Sequence, residues 1–590
     1  MKPFIFCQKY LKQHKLQLTA YVIITLASTA VAILSPYIIG TFLDNLIEGA
    51  DIGVILHFCI IFGGLNLLRI IKNYVVSIMY VKMSAQMSYD LNMDVTKHIQ
   101  KLSLSYINSK DIAYLSQRVS SDSGSLIGFC ITILQSVLTN AVMLVVPFVL
   151  LLTMNWMIAV LLISFLIVYV AVYFVFKRPL YNAGLAFRES QGKFFSGLFE
   201  QLKLIKLIKV NSIQPQINKR ADEVFADFKK KSVHNQKVSY LYSGLDGIVS
   251  TVAQILLFVV GGLQVLAGNF TIGMFTIFTS YFNMMLGSSR YFFGLGASYQ
   301  HTLVSHDRIS SIMDLEPESH GVKVIDDVNE IELRDLSFSY TEISPESVEI
   351  YSADDLNTLS ALCDIPSELA ASTKKVITNI STTFKKGKMY AVYGSNGAGK
   401  STLINLIMGL YINEYDGQIL YDGADIRHID MTSVRRNILG FAEQEPTLIK
   451  DSIWYNLKFQ DVSTADMNIS TSSNTSIGTD VNKDKALDKH IQTLGMQDFV
   501  SRNSLDFSIN EDSTNTSGGE KQKISILKVL YKNPTVMIFD EPTSALDVDT
   551  TKRFIEYLQY VKKDKIIIVI THDGYIKGCC DEIVRMSQPE

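Results

Sequence analysis

The chain is 590 residues long, more than one hydrophobic core holds, so several domains are expected. Its 54 Lys and Arg nearly balance 57 Asp and Glu, and a formal net charge of −3 gives no reason to expect nucleic acid as a partner. Hydrophobic residues reach 48% and charged ones only 19%, against about 25% in an ordinary soluble protein. That balance excludes a disordered, collagen-like or disulfide-scaffold protein. It points to a membrane half joined to a soluble half.

The apolar half comes first. Lys2, Lys9, Lys12 and Lys15 precede a run without the cleavage pattern of a signal peptide. Residues 16–43 carry no charge, and 52–68 carry none before Arg69 and Lys72. Residues 123–176 and 247–289 are each uncharged for long enough to cross a bilayer twice, with turns expected at 153–156 and near Gly268-Asn269. The count is six transmembrane helices. Thirteen Lys and Arg fall in 177–241 and none in 44–51, 153–156 or 267–271. The positive-inside rule therefore puts both termini and both long loops in the cytosol, with the helices continuing there as stalks. Arg69, Lys72, Asp246 and Arg290 lie in or near the spans. They read either as snorkelling side chains or as a cationic cavity for a substrate carboxylate or phosphate. Phe275, Phe278, Phe282 and Met285 recur at helical spacing, as helix packing or as a substrate wall.

From about Val328 the pattern becomes that of an α/β domain. The short strand 388–393 runs into Gly394-Ser395-Asn396-Gly397-Ala398-Gly399-Lys400-Ser401, followed by a helix-compatible run from Thr402. This is a complete phosphate loop. Backbone N–H groups wrap phosphates, Lys400 reaches the β- and γ-phosphates, and Ser401 ligates Mg2+. The buried-strand run 535–539 ends in Asp540, a second Mg2+ holder, and Glu541, which can polarise the attacking water. The six cysteines show no CxxC spacing and read as reduced or buried thiols.

Between these elements stands Thr516-Ser517-Gly518-Gly519-Glu520-Lys521-Gln522, which resembles the signature motif of the ATP-binding-cassette (ABC) ATPases. Other motifs follow in the order of that family. Tyr340 is similar to its adenine-stacking aromatic. Gln444 is similar to its Q-loop glutamine, expected to sense Mg2+. Ser544-Ala545-Leu546-Asp547 resembles its D-loop, and His572 its switch histidine. Residues 91–122 and the stretch around Glu200 resemble the two cytosolic loops of exporter-type half-transporters. Glu511 resembles the glutamate of the exporter loop that contacts the membrane domain. Three features depart from the family pattern: Ile112-Ala113 replaces Thr-Gly, Thr516 the leading Leu, and Glu520 the usual Gln.

The resemblance implies a multidomain fold: an all-α polytopic membrane domain with long cytosolic extensions, then an α/β P-loop ATPase with a helical subdomain. The expected divisions are a cytosolic segment 1–16, a membrane domain 17–315, a linker 316–328 and an ATPase domain 329–590. Within the last, 341–373 is an acidic insertion and 459–485 a polar mobile loop. Glu541, His572 and Gln444 carry hydrolysis. ATP contacts come from Tyr340, residues 394–402, Ser517, Gly518, Gly519, Glu520 and Asp547. Ser401, Gln444 and Asp540 hold Mg2+. One phosphate loop and one signature per chain imply a dimer with a second half-transporter. A homodimer is self-consistent, with a heterodimer as the alternative.

The expected activity is ATP-driven export of an amphipathic substrate across a bilayer. A bacteriocin-type peptide is the first expectation, before a drug or a lipid. Only about sixteen residues precede the first span, which argues against leader cleavage by this chain itself. Short external loops and no targeting sequence point to a bacterial inner membrane. The rival readings are an importer on the same fold, for example for a metal chelate, and a non-pumping ATP-gated regulator.

Overall fold

A computed structural model describes residues 2–49, 51–108, 115–116, 118–318, 321–343, 371–458, 481–510, 515–544 and 546–587. The chain divides into two compact units. One takes in residues 1–97 and 113–314, the other 98–112 and 315–590.

The first unit is helical. Helix α1 (Lys2–Gln13) buries Pro3, Cys7, Tyr10 and Leu11 on one face and exposes its lysines on the other. Six long helices follow: α2 (Lys15–Ile47), α3 (Ile52–Ile99), α5 (Ser123–Met154), α6 (Trp156–Lys203), α8 (Gln214–Leu266) and α9 (Ile272–Met313). The short α7 (Ile205–Asn211) joins α6 to α8, and α4 (Leu104–Asn108) belongs to the second unit. The turns fall where expected, at Asn155 and at Gly268–Asn269. Helices α3, α6 and α8 hold 48, 48 and 53 residues. About 20 suffice for a bilayer core, so each runs well beyond it. Four of the six (α2, α3, α5 extended back to Val119, and α8) are long and apolar enough to cross a membrane, counted among the described residues.

Side-chain size decides how α2 meets α9. A Cβ on Gly273 would lie 2.0 Å from the Gly40 carbonyl oxygen, so only glycine permits the approach. Asp44 then caps α9, accepting from Gly273 N and from Thr271 Oγ1, both at 2.7 Å. Deeper in, Tyr281 Oη donates to the Ile33 carbonyl at 2.9 Å. Phe278, Phe282 and Met285 are buried around this contact. Those members of the aromatic stripe therefore pack helices together.

Among the described residues, the second unit holds nine strands, β1 (Glu330–Ile343), β2 (Ala371–Lys385), β3 (Lys388–Tyr393), β4 (Tyr415–Tyr421), β5 (Ala424–Asp425), β6 (Leu439–Ala442), β7 (Val536–Asp540), β8 (Ile566–Ile570) and β9 (Glu582–Arg585). Its further helices are α10 (Lys400–Ile407), α11 (Met431–Asn437), α12 (Ile453–Lys458), α13 (Val481–Thr493), α14 (Gln497–Asn503), α15 (Gly518–Lys532), α16 (Val548–Val561) and α17 (Gly574–Cys579). One sheet has the order β2-β1-β4-β5 and is antiparallel. The other is parallel, in the order β6-β7-β8-β3-β9.

Strands β7 and β8 are fully buried five-residue runs, as expected for a parallel sheet covered on both faces. Alternation sends Val536, Ile538, Ile566 and Ile568 to one core. It sends Met537, Phe539, Ile567 and Val569 to the other.

Several sequence expectations take a definite form here. The segment 316–328 belongs to the second unit, with Val328 buried and Lys323 bridged to Ile429. Residues 341–343 and 371–373 extend the β1–β2 hairpin, whose register pairs Ile343 with Ala371. The rest of the acidic insertion lies outside the described residues, as do Glu511 and positions 459–480 of the polar loop. The loop expectation needs one correction. Residues 481–485 are the first turns of α13, because Leu487 and Ile491 one and two turns on bury in the core and carry the helix back through them.

Candidate functional site

Four neighbouring strands of the parallel sheet end side by side, and each delivers one part of the site. Ligands of such sheets bind beyond the carboxyl ends of the strands. Strand β3 leads into the phosphate loop, β7 ends at Asp540 and Glu541, and β8 is followed by Thr571 and His572. Gln444 stands two residues past β6.

The phosphate loop is local geometry. Gly397 and Gly399 take φ of 82° and 83°, values that L side chains rarely adopt. A Cβ on Gly399 would also meet Val376 Cγ1 and its carbonyl oxygen, each at 2.9 Å. Helix α10 starts at Lys400 and presents its N-terminus to the loop. The Lys400 ammonium is buried and folds back, donating to the carbonyls of Gly394 at 2.9 Å and Ser395 at 3.1 Å. A γ-phosphate would compete for those protons.

The acidic end is held closely. Ser401 Oγ donates to Asp540 Oδ2 at 3.1 Å. Burial pushes the Asp540 carboxyl up, against the pull of the Ser401 hydroxyl and the Lys400 charge. Glu541 has φ of 45°, an uncommon conformation for a non-glycine residue. Three contacts impose it. Gln522 Nε2 donates to the Glu541 carbonyl at 2.7 Å, Ser544 N donates to the same oxygen at 3.2 Å, and Glu541 N donates to Ile570 O at 3.0 Å. Ser544 Oγ in turn donates to Gln522 Oε1 at 3.1 Å. The carboxylate is thereby aimed between Gln444, whose Nε2 donates to Oε2 at 2.8 Å, and His572, whose Nε2 lies 3.2 Å from Oε1.

His572 Nε2 is also 3.1 Å from Lys400 Nζ. One ring nitrogen cannot donate to Glu541 and accept from Lys400 at once. Lys400 already has two carbonyl acceptors, whereas Oε1 needs a donor. The consistent assignment is an Nε2–H donated to Glu541.

Tyr340 stands at the side of the loop. Its hydroxyl shares a hydrogen bond with Thr402 Oγ1 at 3.1 Å. Its ring meets Phe338 edge-on at 4.9 Å and Tyr411 at 6.0 Å.

The signature and D-loop residues serve as helix caps here. Ser517 N-caps α15 in a reciprocal capping box with Glu520. The Ser517 hydroxyl and backbone N–H both donate to Glu520 Oε2 at 2.8 Å. Gly518 and Gly519 form the first turn, with open space where a Gly518 Cβ would be. Asp547 N-caps α16 and accepts from the backbone and hydroxyl of Thr550 at 2.8 and 2.7 Å. Among the described residues, no hydrogen bond carries Ser517 or Asp547 to the phosphate loop of the same chain.

Sequence reasoning missed two residues of this site. Gln522 sits inside the quoted signature run, and its position two residues past Glu520 gave no sign that it reaches Glu541. Tyr411, fully buried against Tyr340, had no local signal at all.

The first-loop helix α4 is built into the same unit. Leu104 packs on its core, Ser105 hydrogen-bonds Glu414, and Glu318 N donates to Lys101 O at 2.7 Å.

Comparison with known proteins follows the same division. Residues 18–289 match the family described as ABC transporter transmembrane region, and 377–544 match the family described as ABC transporter. The chain is 25% identical to the ATP-dependent lipid A-core flippase of Syntrophus aciditrophicus, over 85% of this chain and 76% of that protein. It is 24% identical to the lactococcin-G-processing and transport ATP-binding protein of Lactococcus lactis subsp. lactis, over 95% and 73%. It is 23% identical to a putative multidrug export ATP-binding/permease protein of Staphylococcus aureus, over 96% and 91%. Its fold is similar to a bacterial Atm1-family ABC exporter solved with ATP bound. There the TM-score is 0.76 at 18% identity, with 98% of this chain and 95% of that one covered.

Proposed function

Because the chain belongs to the ABC transporter superfamily, as an integral membrane protein whose ATPase is coupled to transport, we propose that it is one half of a dimeric exporter moving an amphipathic substrate out of the cytosol. The observation that carries this reading is the convergence of Gln444, Glu541 and His572 beside the phosphate loop, each hydrogen-bonded to the next. A non-pumping regulator has no need of a carboxylate so aimed.

In the proposed cycle, ATP lies on the loop at residues 394–402 with its base on Tyr340. Lys400 leaves the Gly394 and Ser395 carbonyls for the phosphates. Glu541 accepts a proton from the attacking water, and His572 turns its Nε2–H to the γ-phosphate. Ser401, Asp540 and the Gln444 carbonyl oxygen suit Mg2+. They are hard oxygen donors, two of them 3.1 Å apart, and a carboxyl that burial makes reluctant to ionise gains most from a cation. Mg2+, when bound, would neutralise charge on the phosphate oxygens. Ser517, Gly518, Gly519, Glu520 and Asp547 face the ATP of a second copy, which supports a homodimer with two composite sites. Helix α4, fixed to the ATPase unit, supports a cytosolic loop that carries closure toward the stalks. The basic-residue asymmetry supports a cytosolic ATPase at a bacterial inner membrane. A bacteriocin-type peptide is the first substrate class, in line with one relative's name, and lipids and drugs follow.

The test is ATP hydrolysis by the purified protein in bilayers, beside Glu541→Gln, with peptides, lipids and drugs added in turn. Hydrolysis that Glu541→Gln abolishes and one class stimulates is expected. ATP binding by a dimer with no hydrolysis would sink the homodimeric pump.

A further inference from the structure

Four charges stand in or near the spans, and they separate into two kinds. Arg290 on α9 pairs with Asp246 on α8 at 2.8 Å and reaches Ser250 Oγ at 3.3 Å. That pair is internally neutral. Arg69 and Lys72 on α3 are different. They lie one turn apart, and the only other charge between Ile52 and Tyr89 is Lys82. The facing stretch 16–43 of α2 has no charge at all. Among the described residues no carboxylate pairs with either. Lys72 Nζ is held sideways by Ser28 Oγ on α2.

Depth places the pair at the inner edge of the membrane core. Arg69 is seventeen residues into α3 and Lys72 twenty, about 26 and 30 Å below its outer end, against a core of about 30 Å. Ser28, nineteen residues from the end of α2, holds the Lys72 ammonium against α2 at that level. Asn66, Arg69, Asn73 and Ser77 recur at three- and four-residue steps, so a polar stripe runs along the same helix. None of the apolar window of α3 is buried within the chain. A guanidinium and an ammonium at this level, with no carboxylate beside them among the described residues, make a face suited to an anion.

We propose that Arg69 and Lys72 form a binding site for the anionic group, carboxylate or phosphate, of the amphipathic cargo as it enters from the inner leaflet. This rests on the exporter reading and deepens it by naming what the cargo carries.

The experiment uses the full chain in phosphatidylcholine nanodiscs and reads ATP hydrolysis. Two matched probe pairs are titrated: an amphipathic peptide with a free C-terminal carboxylate against its amide, and short-chain phosphatidylglycerol against short-chain phosphatidylcholine. In the wild type, the anionic member of one pair is expected to stimulate at lower concentration, and which pair responds identifies the cargo. In Arg69→Gln, Lys72→Gln and the double variant, half-maximal stimulation by that member should rise about tenfold or more, with its neutral counterpart unmoved. Arg69→Lys should keep most of the preference, and the neutral pair exchange Asp246→Asn with Arg290→Gln should leave it intact. Basal hydrolysis, abolished by Glu541→Gln, should be unchanged throughout and reports that each variant is folded. A wild type that does not prefer the anionic member of either pair overturns the site, as does an equal shift for both members or for neither. Absence of Glu541-dependent hydrolysis in the wild type defeats the pump reading instead.

Discussion

Gln444 and Glu541, 97 residues apart in sequence, are joined by a 2.8 Å hydrogen bond from the glutamine amide to Oε2 of the carboxylate. With His572 on Oε1, both carboxylate oxygens are engaged in this arrangement. Each oxygen keeps a second lone pair, so the water of the proposed mechanism can still donate to Glu541 beside these two partners. Glu541→Gln, which preserves size but not basicity, should lower turnover by about 10²–10⁴ while ATP binding survives. Gln444→Ala should reduce turnover less and shift its dependence on Mg2+ concentration. Phosphate release and equilibrium nucleotide binding on the same samples separate the two effects. Full activity in Glu541→Gln would exclude it as the base.

Gln522 is predicted to be a positioning residue. It holds the Glu541 carbonyl and receives Ser544, so it maintains a backbone conformation that the chain would not choose alone. Gln522→Leu leaves these groups unpaired and should cost about 1–3 kcal/mol of stability. Turnover should fall while the KM for ATP stays nearly constant, because the phosphate loop is untouched. A loss confined to KM would contradict this role.

Tyr340 separates a ring effect from a hydroxyl effect. Base–aromatic stacking contributes about 1–3 kcal/mol, so Tyr340→Ala should weaken ATP binding about tenfold or more. Tyr340→Phe removes the hydroxyl and its contact with Thr402 but keeps the ring, and should bind ATP nearly as the wild type does. Affinity measured by nucleotide displacement distinguishes them. An equal loss in both would place the hydroxyl, not the ring, at the centre of recognition.

His490 makes the ATPase unit acid-sensitive. It is buried on α13 against the edge of Tyr557, with no hydrogen-bond partner for Nδ1 among the described residues. Burial, helped by Lys489, pushes its pKa down to about 4. An exposed histidine titrates near 6.5, so between the two values the unfolded chain binds a proton that the folded one refuses. Stability is therefore complete above about pH 6.5 and falls as pH drops toward 4, by up to about 3 kcal/mol. His490→Phe should flatten this acid limb. Apparent unfolding temperatures at pH 7.5 and 5 provide the comparison, and parallel losses in both proteins would assign the effect elsewhere.

Local features were readable residue by residue. The phosphate loop depends on glycines and a lysine within eight positions, and Gly397 and Gly399 take the left-handed values those glycines permit. The long uncharged runs announced helices α2, α3, α5 and α8 because their lengths exceed any soluble core segment. The aromatic stripe on α9 was ambiguous, since spacing marks a helix face without naming its neighbour. Packing on Ile33 and Leu257 resolved it. The start of α13 was obscured because residues 481–485, four of them polar or charged, read as loop until the buried Leu487 and Ile491 are seen beyond them.

By itself, the sequence determined the division into a membrane half and an ATPase, and marked most of the side chains that the structure gathers beside the phosphate loop. Each of those is encoded in a contiguous stretch whose length, charge or glycine content has one physical meaning. Tertiary structure decided which of those groups meet. The order β6-β7-β8-β3 brings Gln444, Glu541, His572 and Lys400 to one edge of a sheet. The packing of α8 on α9 neutralises Asp246 with Arg290, while Arg69 and Lys72 meet no carboxylate among the described residues. Such pairings depend on register and strand order over tens to hundreds of residues, and no local pattern specifies them.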